Sequence, residues 1–253
     1  YKRQGKDLST SVFDKKMSLY KDANITFVGC SRWLSGRAKK SYLLRGKAVL
    51  SIPNPIDTKV YHPMDQGMAR ELLGLPSGKR LLLFGALNVT DKRKGIDYLI
   101  EALRRMEKQD VELVVFGQVK DDIRGLFPVP IHSMGYLSDE SKIVALYNAV
   151  DMFITSSLEE NLPNTIMESM ACGTPCVGFE IGGIPEMIDH RVNGYVANYK
   201  DAGDLANGIQ WVLEHEDRLA LSDACVKKVQ ENYTEEVVAK QYTALYEKLL
   251  KGE

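Results

Sequence analysis

The most constraining feature of the sequence is a strand–loop–helix–turn–strand pattern over residues 151–178. Residues 152–155 form a short apolar run that contains β-branched side chains, and residues 175–178 begin a second run of this kind. Such continuous apolar runs are typical of parallel strands that are buried on both faces. The pattern therefore predicts a βαβ unit, and with it a parallel sheet in a protein of the α/β class.

The helix inside this unit has recognisable start and stop signals. Asn161 is expected to cap it, Pro163 suits its first turn because the missing N–H costs nothing there, and Gly173 fits its end. A helix that starts at the carboxyl end of a parallel strand points its free N–H groups into the crevice where such sheets bind ligands. The pattern therefore predicts an anion at this place, and a phosphate would fit.

Two carboxylates frame the start of the same helix. Glu160 precedes it and Glu168 follows eight residues later, roughly two turns away at about 1.5 Å per residue. Beside an anion these acids need other partners, and the hydroxyls of a ribose or a sugar can donate hydrogen bonds to them. A nucleotide joined to a sugar is the ligand that meets both demands. The alternative is a pair of solvated acids at the mouth of a helix.

The spacing of five residues in this stretch resembles a known signature. Ser157, Glu160, Glu168, Gly173 and Pro175 stand as in the E-x7-E motif of retaining glycosyltransferases of the GT-B fold, in the large family four and especially its bacterial polysaccharide-type members. The resemblance implies an α/β fold with a Rossmann-like, doubly wound parallel sheet. It also implies that Glu160 faces the donor sugar as the catalytic residue, that Glu168 holds the nucleotide ribose, and that no metal or other cofactor is needed.

Composition and the motifs that are absent argue against several functional classes. The 253 residues carry 33 basic and 34 acidic side chains, so the net charge of −1 offers no bulk attraction for nucleic acid. The four cysteines form no C-x-x-C pair, which fits a reducing, cytoplasmic compartment. No apolar run is long enough to span a bilayer, so contact of the full-length protein with the inner face of the membrane would be peripheral or through a segment outside this chain. The absence of a Walker loop and of G-x-G-x-x-G argues against ATPases and nicotinamide enzymes.

Strand-like and helical patterns alternate along the whole chain, and two segments near its start suggest where one domain ends and the next begins. Residues 30–34 and 52–57 are similar to the last units of the family's N-terminal, acceptor-side domain and its exit. We therefore expect four parts. They are the tail of that domain at 1–57, a linker at 58–78, a nucleotide-sugar-binding Rossmann-like domain at 79–233 and a crossover helix at 234–253. Since the chain starts at Tyr1 and a GT-B enzyme needs two such domains, we interpret it as part of a longer protein.

A basic loop follows the first strand of the predicted nucleotide-binding domain. In the family a lysine here contacts the phosphates, and the resemblance gives that role to Lys94 and less directly to Arg93. Many members also carry an arginine after the glycine of the strand, where this chain has Ala86. Either Arg93 or Lys92 replaces that charge, or the donor binds more weakly. A solvated basic turn is the alternative reading of the loop.

Two further groups complete the predicted donor site. The phosphates are expected at the start of the central helix, formed by Asn161, Leu162, Pro163, Asn164 and Thr165. The family packs the nucleotide base against a strand end that corresponds here to Gly135, Tyr136 and Leu137. Simple loop packing is an equally good explanation of those three residues.

The C-terminal segments fit the same resemblance. The residues from Gly182 to Glu186 are similar to the family's G-G-x-P-E turn, in which Glu186 is read as a helix-entry acid rather than a catalyst. Thr234 is expected to cap a final helix with one apolar stripe. In the resembled fold this helix packs back onto the N-terminal domain.

The resulting functional prediction is a retaining glycosyltransferase. It would transfer a hexosyl group from a UDP-sugar or GDP-sugar to a glycan or lipid-linked acceptor held by the N-terminal domain. This chain would supply mainly the donor-binding part and would be inactive alone. A non-catalytic sugar-nucleotide-binding module is the alternative, whereas an epimerase of the same fold lacks support from residues 157–177.

Overall fold

The computed structural model describes residues 8–88, 91–106, 110–118 and 124–252, over which strands and helices alternate. The strands are β1 Thr26–Gly29, β2 Ala48–Ser51, β3 Arg80–Asn88, β4 Val111–Gln118, β5 Ile131–Gly135, β6 Met152–Thr155, β7 Cys176–Phe179 and β8 Gly194–Ala197. The α-helices are α1 Leu8–Lys21, α2 Arg32–Lys40, α3 Gln66–Leu73, α4 Ile96–Arg105, α5 Glu140–Ala149, α6 Asn164–Ala171, α7 Ile184–Met187, α8 Ala202–Leu213, α9 Arg218–Asn232 and α10 Glu235–Leu250. Among the described helices, none is both long and apolar enough to cross a membrane.

Six of the strands form one parallel sheet. Their order is β5-β4-β3-β6-β7-β8, which is the 3-2-1-4-5-6 order of doubly wound nucleotide-binding folds. The chain runs outward in one direction from β3 and then in the other from β6, so the order reverses between these two neighbours. Ligands of open α/β sheets bind at the carboxyl ends of the strands at this switch point. The topology therefore places the candidate site at the ends of β3 and β6.

The core lies in two layers, one on each face of the sheet. Leu81 and Leu83 of β3 point to the layer that α3, α5, α6 and α9 cover, whereas Leu82 and Phe84 point to the layer under α4 and α8. All four side chains are at most 2% exposed. Burial on both faces explains why the strand sequences are continuously apolar. The predicted doubly wound arrangement is confirmed.

A buried carboxylate holds the amino ends of β3 and β6 side by side. Asp151, directly before β6, accepts hydrogen bonds from the Arg70 guanidinium at 3.1 Å and from the Leu81 amide at 2.7 Å. Arg218 of α9 reaches its other oxygen at 2.7 Å. The side chains of Arg70 and Asp151 are only 6% and 3% exposed. Removing one partner of such a pair costs about 3–5 kcal/mol, so this contact fixes the register of the two strands that carry the site.

The N-terminal residues form a separate two-stranded parallel sheet, β1 with β2. The last helix returns to cover it, because Val238 and Leu245 of α10 are buried against Ile52. Next to this contact the Ile56 amide donates to the Tyr233 carbonyl at 2.8 Å. Thr234 caps α10 as predicted, with its side chain accepting from the Val237 amide. The final helix thus packs on the N-terminal strands, while the exact domain boundaries stay a prediction.

Candidate functional site

The loop after β3 is built to present Lys94. Residues 92–94 form one turn of 3₁₀ helix, capped by the Asp91 carboxylate, which accepts from the Arg93 amide at 2.9 Å. Gly95 follows in the left-handed region at φ 63°. A Cβ on Gly95 would lie 2.0 Å from the carbonyl oxygen of Ser156, so only glycine allows the loop to touch the end of β6.

Three contacts join this loop to the segment after β6. The Ser156 hydroxyl donates to the Lys94 carbonyl at 3.0 Å, and the Leu158 amide donates to the Arg93 carbonyl at 2.7 Å. The Lys94 ammonium also pairs with the Glu160 carboxylate, with Nζ 2.6 Å from Oε1. Their side chains are 32% and 14% exposed. The predicted phosphate-binding lysine and the predicted sugar-binding acid therefore meet at the switch point.

The peptide that carries Glu160 is held from the other side by the glycine pair after β7. A Cβ on Gly182 would lie 1.9 Å from the Glu160 carbonyl oxygen, and Gly182 has φ 61°. The Gly183 amide donates to the Asn161 carbonyl at 2.6 Å. The two glycines thus allow backbone to pack on backbone beside the candidate catalytic residue.

Asn161 does not cap the central helix, so that prediction is wrong. Its side-chain oxygen accepts from the Ser31 hydroxyl at 2.6 Å, and its side-chain nitrogen donates to the Cys30 sulfur at 2.9 Å. The helix α6 starts three residues later, with Pro163 at the N-cap and no side-chain cap. The reason is tertiary: the N-terminal segment offers Asn161 two partners that the sequence pattern cannot reveal.

The helix α6 begins four residues after Glu160, and the binding of a phosphate at its start stays a prediction. Because no side chain caps the helix, the N–H groups of Asn164 and Thr165 are open to an anion. The next amide, that of Ile166, already donates to the Pro163 carbonyl at 3.1 Å. Leu162 and Pro163 are buried, and Pro163 has no N–H, so these two residues shape the loop rather than donate to a phosphate. Asn164 is exposed and accepts a long, 3.4 Å hydrogen bond from Asn54.

Glu168 lies deeper than Glu160 and has a tyrosine partner. The hydroxyl of Tyr147, a fully buried residue of α5, donates to Oε2 of Glu168 at 2.8 Å. Edge contacts with Phe116 and Phe153 hold the tyrosine ring, at 6.2 and 6.0 Å between centroids. No described residue bonds to the second oxygen of Glu168, and its predicted contact with a ribose hydroxyl stays a prediction. Burial raises the pKa of Glu168, the Tyr147 bond opposes that shift, and the nearby Glu140 charge adds to it.

Arg93 and Ala86 contribute less positive charge than the family pattern implies. The Arg93 guanidinium is paired with the Asp91 carboxylate, 2.7 Å from Oδ2, and its side chain is 69% exposed. The hydrogen bonds from the Arg93 side chain and amide lower the pKa of Asp91 to about 2. Ala86 is a buried residue of β3. Lys94 is therefore the basic side chain of this loop that the structure pairs with Glu160, while Lys92 is exposed.

The predicted base neighbours lie two strands away from the switch point. Gly135 ends β5 with φ 64°, Leu137 packs on the core, and Tyr136 is 60% exposed. An exposed aromatic ring beside the carboxyl edge of the sheet could stack on a base, and this role stays a prediction.

Two functional relationships escape a reading of the sequence alone. One is Tyr147 as the partner of Glu168, since the two are 21 residues apart and belong to different helices. The other is Glu186, which caps α2 by accepting from the amides of Arg32 at 2.9 Å and Trp33 at 2.7 Å. Glu186 does lie in the first turn of α7, as predicted, yet its carboxylate serves a different helix.

The described residues contain no group of three His, Cys, Asp or Glu side chains placed to hold a metal ion. The predicted independence from metal is not tested by this finding and stays a prediction.

Six parallel strands in this order with helices on both faces define a Rossmann-like fold. Residues 78–215, more than half of the chain, match the family described as glycosyl transferases group 1. The chain belongs to this family, as its resemblance to the E-x7-E signature implied.

Curated relatives agree with this membership. N-acetyl-alpha-D-glucosaminyl L-malate synthase of Bacillus anthracis is 24% identical over 213 residues, which cover 82% of this chain and 55% of that protein. N,N'-diacetylbacillosaminyl-diphospho-undecaprenol alpha-1,3-N-acetylgalactosaminyltransferase of Campylobacter jejuni is 33% identical over 118 residues, 46% of this chain and 31% of that protein. The chain thus spans about half the length, or less, of these relatives.

Solved structures establish the fold. Sucrose-phosphate synthase from Thermosynechococcus elongatus matches with a TM-score of 0.79 at 21% identity, over 100% of this chain and 64% of that chain. HepE of Anabaena, solved in complex with UDP-glucose, matches with a TM-score of 0.75 at 19% identity, over 95% and 68%. The predicted GT-B-type α/β fold is confirmed.

Proposed function

We infer that this chain is the donor-binding part of a retaining glycosyltransferase that transfers a hexosyl group from a nucleoside diphosphate sugar. The acceptor would be a glycan or a lipid-linked glycan bound by the rest of the protein. The observation that carries the inference is the Lys94–Glu160 pair, which lies at the switch point of the sheet beside the start of α6. The family membership of residues 78–215 supports it.

Each side chain of the site has a role that its chemistry suits. The diphosphate would rest on the first N–H groups of α6 and on Lys94, which would exchange its carboxylate partner for the phosphates. Glu160, released from Lys94, would accept hydrogen bonds from the sugar, and the free oxygen of Glu168 would accept from the ribose. The ligand thus replaces the internal ion pair with two sets of complementary contacts.

The chemical step follows from this placement of charge. The bond between the anomeric carbon and the diphosphate oxygen breaks, the acceptor oxygen forms the new bond on the same face of the sugar, and the acceptor hydroxyl transfers its proton to the leaving diphosphate. Negative charge grows on the leaving diphosphate, where Lys94 and the α6 N–H groups stabilise it. These groups supply the positive charge that a metal ion would otherwise provide. We therefore expect nucleotide binding to persist in EDTA.

A titration of this chain tests the proposal. UDP, GDP and their common sugar conjugates are added in a calorimeter, with and without EDTA, and any conjugate that binds is then assayed for donor hydrolysis and for transfer. Saturable binding of one nucleotide supports the donor-site assignment. Binding without turnover fits a donor part that needs the rest of the protein, and binding of none of these ligands overturns the proposal.

A further inference from the structure

Asn161 is hydrogen-bonded to three residues in two distant parts of the chain. Its side chain bonds to Ser31 at 2.6 Å and to Cys30 at 2.9 Å, and its carbonyl accepts from Gly183 at 2.6 Å. The two side-chain bonds reach 130 residues back along the sequence to the segment between β1 and α2. An amide with both ends occupied has a fixed orientation, so Asn161 cannot move independently of that segment.

The neighbouring peptide shares this restraint. Glu160 directly precedes Asn161, and its carbonyl packs on Gly182 too closely to admit a Cβ. On the other side Leu162 is only 7% exposed and belongs to the core. The backbone that carries the Glu160 carboxylate is therefore held by the glycine pair on one side and by Asn161 on the other.

The segment on the far side is equally well fixed. Ser31 is 1% exposed, and its hydroxyl also accepts from the Leu34 amide as the N-cap of α2. Glu186, from the turn that follows the glycine pair, accepts from the amides of Arg32 and Trp33. The first turn of α2 is thus bonded both to the loop that carries Glu160 and to the turn that supports this loop.

We propose that Asn161 is a positioning residue through which the first turn of α2 sets the placement of Glu160 against the donor sugar. This inference rests on the proposed function, because it assigns Glu160 to the sugar. It adds that the N-terminal segment takes part in donor recognition without touching the donor. A shift of α2 would move Asn161 and hence the acid, while Lys94 and the α6 N–H groups would keep their hold on the diphosphate.

The test measures the contributions of the sugar and of the nucleotide to donor affinity separately. Dissociation constants for UDP and UDP-glucose, or for GDP and GDP-mannose if guanine is preferred, are measured by calorimetry for the wild type, Asn161→Ala and Ser31→Ala. In both variants the gain in affinity from UDP to UDP-glucose, or from GDP to GDP-mannose, should be about tenfold smaller than in the wild type. The dissociation constant for UDP or GDP itself should change by no more than about threefold. The double variant should resemble either single one, because the two side chains form one contact.

Two matched variants guard against a trivial loss of folding. Cys30→Ser keeps an acceptor for the Asn161 amide and should retain the sugar contribution. Asn54→Ala breaks another contact between the N-terminal segment and α6, the 3.4 Å bond to Asn164, and should leave the contribution intact. Equal losses for nucleotide and conjugate, no change in either, or a wild type for which the sugar adds no affinity would each overturn the proposal.

A second measurement does not depend on any ligand. Amide hydrogen exchange of the free protein should become about tenfold faster at Gly183 and at residues 160–162 in Asn161→Ala, and not in the strand β6. A wild type that binds no nucleotide refutes the proposed function, and the exchange result alone then decides whether Asn161 holds this loop. Unchanged exchange in the variant would refute the positioning role.

Discussion

The Lys94 ammonium and the Glu160 carboxylate lie 2.6 Å apart, although 66 residues separate them in the chain. Each comes from the loop after one of the two strands at which the sheet order reverses. In the free protein each charge satisfies the other, so neither stays unpaired in a partly buried crevice. An incoming diphosphate sugar can replace both partners at once, which favours a ligand with an anion and hydroxyl groups over either component alone.

Lys94→Ala should weaken the binding of UDP or GDP by about tenfold or more, since it removes the cation at the crevice and leaves Glu160 to repel the phosphates. Calorimetry at low and high salt measures the loss, which should shrink as salt rises. Lys227→Ala is the control, because it removes the same charge from a side chain on α9 that is 73% exposed. Equal affinity in the two variants would contradict the phosphate role of Lys94.

Glu160→Gln should have opposite effects on the binding of the nucleotide part and of the sugar part of the donor. It frees Lys94 from its ion pair, so the affinity for bare UDP or GDP should stay the same or rise by about threefold. The extra affinity from the sugar should fall, because the neutral amide is a weaker acceptor for sugar hydroxyls. Glu159→Gln, next to it and exposed, is the matched control. A fall in affinity for the bare nucleotide would show that Glu160 has a different role.

Glu168→Gln should raise the thermal stability at neutral pH and weaken nucleotide binding. Burial raises the pKa of Glu168, so the folded chain holds the proton more tightly than the unfolded chain. Stability therefore falls as pH rises from the unfolded pKa through the raised folded pKa, and above this window the charged acid carries its full cost. Glutamine removes the cost and can still accept from Tyr147.

Melting temperatures at pH 7 and in acid check this prediction. The advantage of Glu168→Gln should vanish in acid, where the wild-type carboxyl is also neutral. Tyr147→Phe is the companion variant, and it should lower stability by about 1 kcal/mol because a buried hydrogen bond is lost. It should also move the acid limit of nucleotide binding to higher pH, since the Tyr147 bond lowers the pKa of Glu168. A lower melting temperature for Glu168→Gln at pH 7 would refute the argument.

Gly95→Ala should destabilise the chain by at least about 2 kcal/mol, because a left-handed backbone and a close carbonyl both oppose a Cβ. That Cβ would meet the Ser156 carbonyl, so the loop that presents Lys94 has to move away from β6. Urea unfolding and UDP titration should therefore both change. Gly78→Ala is the control, as a Cβ there meets nothing within 4 Å. Unchanged nucleotide affinity in Gly95→Ala would show that Lys94 does not contribute to phosphate binding.

Local patterns were sufficient to predict the elements around the site. The apolar run of β6, the stop at Gly173 and the cap at Thr234 each depend on residues within one turn or one strand, and the structure has them where the sequence indicates. The pairing of Lys94 with Glu160 was also within reach, because both follow strands whose carboxyl ends share one edge of the sheet. Parallel topology converts two distant loops into neighbours.

The remaining features depend on contacts between distant segments. Asn161 has the right residue type for a helix cap, but α6 starts three residues later, and Ser31 and Cys30 engage its side chain. Glu186 looks like the acid of its own short helix until α2 is placed beside it. A polar side chain bonds to whichever donor or acceptor the tertiary fold brings near, and a single sequence does not reveal which partner that will be.

The packing of α10 on the N-terminal strands has a consequence for how the protein is made. Ile52 is synthesised well before its buried partners Val238 and Leu245. Until α10 is synthesised the apolar side of β1 and β2 lacks this cover, and closing it needs a contact across nearly 200 residues. The β1–β2 sheet is therefore covered by α10 only after every strand of the six-stranded sheet has been synthesised.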